Sequence, residues 1–108
     1  MELEIKHDET YSTLYVFEPF TTNQTDGQTQ LDNILVTPGQ TVAQGEHIGN
    51  LFTAGAPGTG SHVHFGLLIN IPDGGDPTAC PEPYFTSSSN VEILQLIQQD
   101  EPQQMICN

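Results

Sequence analysis

His62-Val63-His64 is the part of this chain whose residue types and spacing bear most directly on chemistry. Side chains alternate across a β-strand with period two, so in a strand both imidazoles project from one face. Imidazole is a ligand for transition metals and a proton carrier near neutral pH. Two on one face allow a division of labour, with one nitrogen on a metal and the other moving protons. Val63, Phe65, Leu67 and Ile69 then fall on the opposite face and are expected in a core. The same tripeptide also fits two exposed histidines on an edge strand, so the surrounding residues have to decide.

The elements that must hold this pair are short and β-rich. Leu3 to Lys6 and Ser12 to Phe17 alternate as strands, and the polar turn His7 to Thr10 joins them into a hairpin. Residues 18–33 are rich in Thr, Gln, Asn and Asp and are expected to form an exposed, mobile insertion. Ile34 to Val36 is expected as a short strand, followed by turns at Pro38-Gly39 and Gln44-Gly45. A glycine-rich loop, Gly55 to Ser61, leads into the histidine strand, and Pro72 to Pro83 is turn-rich. Ser89 and Glu92 have the spacing of a capping box, and Val91, Ile93, Leu94 and Ile97 form an apolar stripe. A helix near residues 90–99 follows, with Pro102 beyond its end.

Composition narrows the function classes. Lys6 is the sole basic residue apart from histidine, against 14 carboxylates, and the formal charge is −13. Such a surface repels nucleic acid, anionic membranes and anionic cell-wall polymers. No apolar run approaches the length of a membrane span. The opening Met1-Glu2-Leu3-Glu4-Ile5 is acidic and alternating, unlike a signal peptide. Cys80 and Cys107 form no Cys-x-x-Cys motif; in an oxidising compartment they would tie the C-terminal tail to the loop after the histidine strand. Asn23-Gln24-Thr25 matches a glycosylation sequon, which has meaning only in a eukaryotic secretory pathway.

Val36, Val42 and Ile48, separated by the Pro38-Gly39 and Gly45 turns, are spaced to fill a small, sharply folded sheet. Biotinyl and lipoyl carrier domains have such hairpins, but they need a lysine at an exposed hairpin tip. Lys6 lies in the wrong strand, which excludes a swinging-arm carrier.

The order Val36-x-Pro38-Gly39-Gln40-x-Val42-x-x-Gly45-x-x-Ile48-Gly49, then Gly58-x-Gly60, then His62-x-His64-Phe65-Gly66, resembles the lysostaphin-type (LytM-like) zinc endopeptidases of bacterial peptidoglycan. Tyr11-Ser12-Thr13-Leu14-Tyr15 is similar to that family's tyrosine-containing strand, and Asp76-Pro77 with Pro83-Tyr84 to its close. The resemblance covers roughly residues 3–86. It implies a single zinc, with His64 as a ligand and His62 as the general base or transition-state stabiliser. The zinc would acidify its bound water and polarise the scissile carbonyl.

Two departures set limits on that expectation. The family's upstream His-x-x-x-Asp ligand motif has no counterpart, because Tyr11, Leu51, Gly66 and Leu68 stand four residues after the four histidines. The family's second proton-handling histidine, in Tyr-x-His, is replaced by Phe17 after Tyr15-Val16. With one inherited ligand, zinc binding is expected to be weak or absent in this chain alone; stoichiometric zinc would require further ligands, such as Asp73, Asp76 or Glu18.

The expected fold is therefore all-β, with compact antiparallel sheets of the lysostaphin-type peptidase (duplicated hybrid motif-like) and a short C-terminal helix. Residues 1–86 would form the peptidase-like domain, lacking its N-terminal part or degenerate, and residues 87–108 the helix and tail. The expected role is binding or assembly at the cell wall, outside the cytoplasm, without catalysis. The alternative is an active zinc endopeptidase whose missing His and Asp come from an upstream segment or a partner chain. Expected partners are peptidoglycan peptide, another protein, or a second copy joined through an exposed strand edge.

Overall fold

The computed structural model describes residues 1–19, 24–53, 60–70, 79–103 and 105–107, and for residues 24–26 and 100 the backbone only. Strand β1, Glu2–Lys6, keeps the alternation of its sequence: Leu3 and Ile5 are half-buried, while Glu2, Glu4 and Lys6 are exposed. Strand β2, Tyr11–Glu18, is rich in aromatic and β-branched residues, which suit a pleated, half-buried surface. The turn between them is built by Asp8. Its carboxylate accepts hydrogen bonds from the backbone N–H groups of Thr10 and Tyr11, both at 2.7 Å. At the far end Phe17 N–H donates to the Met1 carbonyl (2.8 Å), which makes the pair an antiparallel hairpin.

Strand β3, His62–Ile69, carries the histidine pair and lies on the other side of β2, giving the order β1-β2-β3. Asn70 N–H donates to the Thr10 carbonyl at the start of β2 (2.7 Å), while His62 and His64 meet Glu18 at its end. β3 therefore runs antiparallel to β2. The three-stranded antiparallel sheet and the C-terminal helix are thus present as expected, with an additional helix, α1, Gln24–Asp32.

The chain forms two compact units, and the strands pass from one to the other: Met1–Ile5 with Leu14–Phe65, and Lys6–Thr13 with Gly66–Asn108. In the first unit Phe17 is buried, and Tyr15 meets Phe65 edge to face with ring centres 5.3 Å apart. Gln30 of α1 is completely buried. Its amide donates to the Asn50 carbonyl (2.9 Å) and accepts from Phe52 N–H (2.8 Å), tying the chain after residue 49 to the helix. Gly39 and Gly45 have φ of 84° and 78°, the left-handed backbone that the two expected turns require. Between those turns and α1, Ile34 and Gly49 form an isolated antiparallel bridge. A side chain at Gly49 would meet Ile34 Cδ1 at 2.9 Å and the Asn33 carbonyl at 3.3 Å, so the end of Ile34 would have to shift to admit one.

In the second unit Leu67 of β3 is buried and bridges to Ala79. Tyr11 packs against Tyr84, which ends a 3₁₀ turn, Glu82–Tyr84. Helix α2, Ser87–Asp100, begins after Thr86, whose hydroxyl accepts from Ser89 N–H (3.2 Å). Cys80 and Cys107 form a disulfide, pinning the tail as an oxidising environment would allow.

Four expectations require correction. Residues 18–33 are not simply an exposed insertion, since among the described ones α1 is ordered around buried Gln30. Its lack of an apolar stripe hid it, because polar hydrogen bonds, including Gln28 to Asp32 (2.8 Å), do the stabilising. Ile34 to Val36 forms one bridge rather than a strand. The α2 cap is Thr86, three residues earlier than Ser89, because the hydroxyl that satisfies an orphan N–H sits there. Finally, Val63 and Phe65 remain 39% and 41% exposed, so the core face of β3 is covered only towards Leu67. Asn23, Gly55 to Thr59, Asp73 and Asp76-Pro77 lie outside the described residues.

Candidate functional site

Strand alternation puts His62 and His64 on one face at the start of β3, as their spacing predicts. The antiparallel register brings the last residue of β2, Glu18, to the same face. Three atoms converge there. His62 Nε2 lies 2.9 Å from Glu18 Oε2, His64 Nε2 lies 3.1 Å from that same oxygen, and the two Nε2 atoms are 2.9 Å apart. The imidazole rings meet edge to face, with centres 4.5 Å apart. All three side chains are open to solvent, with 44% of His62, 60% of His64 and 46% of Glu18 exposed.

Two further contacts hold the trio in place. His62 Nδ1 lies 2.6 Å from the Gly60 carbonyl, which can only accept, so Nδ1–H donates. That bond orients the ring and turns Nε2 towards Glu18. Gly60 has a φ of 88°, a backbone conformation that glycine adopts without strain. Ser61 Oγ–H donates to the Pro19 carbonyl (2.9 Å), pinning the entry to β3 against the exit from β2.

Phe17 precedes Glu18 and is nearly fully buried, 5% exposed. With Tyr15 it lies on the face that carries Phe65, away from the imidazoles. The position that departs from the peptidase pattern is here a packing residue.

His62 and His64 were legible as a pair from spacing alone, and the structure brings them together. Glu18 stood in the sequence only as one of several carboxylates; its pairing depends on strand register, which no local motif announces. The other described histidine with a side-chain partner, His7, bonds Thr13 (2.9 Å). Cys80, Glu82 and Cys107 also cluster, but the disulfide occupies both sulfurs and leaves no thiolate for a metal. No helix among the described residues is long and apolar enough to cross a membrane. Comparison with protein-family models, with characterised proteins and with solved structures finds no match to this chain.

Proposed function

We propose that this chain is a lysostaphin-type peptidase-like domain that binds at the cell wall, outside the cytoplasm, and does not cleave what it binds. Its ligand is a peptidoglycan peptide or another wall protein. The observation that carries this reading is the convergence of both imidazoles on one carboxylate, Glu18. Hydrolysis of an amide needs a group free to take a proton from water and return it to the leaving amine. Nε2 of His62 and of His64 both face the Glu18 carboxylate within 3.1 Å, and Phe17 in the family's remaining proton-handling position has no proton to move. The Cys80–Cys107 disulfide supports an oxidising compartment.

The second reading, a zinc endopeptidase completed by His and Asp from elsewhere, draws on the solvent exposure of the trio, which leaves room for substrate and for added ligands. Incubation with purified peptidoglycan separates the two. The chain is expected to sediment with the wall and to release no new amino groups, with or without added zinc. Zinc-dependent release that disappears in His64→Ala would establish the peptidase reading instead. Failure to sediment with any wall preparation would reject wall binding.

A further inference from the structure

We infer that Glu18, His62 and His64 form a binding site for a divalent first-row transition metal, zinc being the best fit, with His62 as a ligand rather than a proton carrier. The three donor atoms are 2.9, 2.9 and 3.1 Å apart. Zinc bonds of about 2.0–2.2 Å put neighbouring ligand atoms about 3.3 Å apart at tetrahedral angles and about 2.9 Å apart at right angles. The trio lies between these limits, and side chains this exposed can move the remaining few tenths of an ångström. Two imidazoles and a carboxylate are also a donor set that such metals take in three-ligand sites with open positions.

The accounting of lone pairs points the same way. The Gly60 carbonyl holds the proton of neutral His62 on Nδ1, so Nε2 presents a lone pair. Glu18 as a carboxylate presents lone pairs only. In that state these two atoms, 2.9 Å apart, repel; a proton on His62 Nε2 relieves this, and so does a metal cation lying against both. His64 Nε2–H can donate to one of them, not to both. A metal bound by all three atoms satisfies every lone pair at once. The Gly60 carbonyl then has the orienting role that metal-bound histidines ordinarily require. The formal charge of −13 raises the local concentration of any divalent cation.

This differs from the arrangement that the peptidase resemblance implies, in which His64 is the only ligand of the pair. It shares its site with the wall-binding reading but does not depend on it: a chain that takes up zinc without binding wall, or the reverse, separates the two. When bound, the metal would supply a Lewis-acid anchor for a carboxylate or carbonyl of the ligand.

The test is calorimetric titration of the chelator-treated chain with ZnCl₂, followed by ¹⁵N-detected NMR of the histidine rings. One zinc per chain is expected, with shifts at Nε2 of His62 and His64 and none at His7 or His47. Glu18→Gln, His62→Ala and His64→Ala should each weaken binding at least ~10-fold, and His47→Ala should leave it unchanged. MgCl₂ should not compete, because imidazole pairs favour the borderline metals. Absence of uptake, ring shifts confined to His7 or His47, or affinity unchanged in both Glu18→Gln and His64→Ala would overturn the assignment. The ring shifts are read on the unaltered chain, so they decide the matter even if a variant misfolds.

Discussion

Gln30 is the buried polar residue among the described ones, where Phe17 and Leu67 are the buried apolar side chains. It is fully buried, and both ends of its amide are matched, the NH₂ to the Asn50 carbonyl and the oxygen to Phe52 N–H. A buried amide with no partner is costly, whereas a matched one fixes a single arrangement of the backbone around it. Gln30→Ala removes a donor and an acceptor together and leaves the two backbone groups to find water. Loss of about 1–3 kcal/mol is expected, measured as a lower urea midpoint. Gln30→Glu tests the same contact chemically. A carboxylate can still accept from Phe52 N–H but cannot donate to Asn50, so this variant should also be destabilised at neutral pH. Full stability in Gln30→Ala would mean that α1 does not depend on this residue.

At the scale of elements, the β1–β2 hairpin is held at its turn by Asp8. The N–H groups of Tyr11 and Thr10, with a smaller contribution from the His7 and Lys6 charges, hold its carboxyl below the ordinary aspartate value. A lowered native pKa means that the unfolded chain binds the proton more readily. The turn's added stability is therefore complete above about pH 3.9, the unfolded value, and is lost as pH falls through the lower folded value. Amide exchange at Thr10 and Tyr11 is expected to accelerate on that acid limb. Asp8→Asn keeps an acceptor oxygen but no titrating group, so its turn should lose the acid limb. An identical acid profile in the variant would place the sensitivity elsewhere.

At the scale of the molecule, two features govern association and durability. Cys80 and Cys107 close a loop with a sequence separation of 27. Chain-entropy arithmetic for a loop of that length gives about 3–4 kcal/mol. Reduction should lower the melting temperature and expose the segment after α2 to protease, and an unchanged melt in reductant would show the bridge to be dispensable. Among the described residues the order β1-β2-β3 leaves β1 as an edge strand, a template for pairing with a second copy. Exposed Glu2, Glu4 and Lys6 blunt that edge, and the charge of −13 opposes close approach. Salt screens this repulsion. We therefore expect a dimer or larger assembly that strengthens as salt rises, followed by light scattering. A monomer at high concentration across the whole salt series would reject it.

What could be read without coordinates was whatever depends on near neighbours in the chain. The alternation of Leu3 and Ile5, the glycines at 39 and 45, the strand from His62 to Ile69 and the shared face of His62 and His64 all follow from backbone geometry over a few residues. Net charge follows from composition. α1 was hidden because its stability comes from hydrogen bonds and one buried glutamine rather than from a periodic apolar face. The α2 cap was misplaced because Thr86 and Ser89 are equally plausible caps until the chain direction before the helix is known. The third member of the site, Glu18, depends on which residues of β2 stand opposite β3, and that is a contact 46 positions apart in the chain. Strand register is set by which faces can be buried together, here with Tyr15 against Phe65 and Phe17 turned inward. Local pattern thus supplied the two imidazoles, and only the tertiary pairing of strands supplied the carboxylate between them.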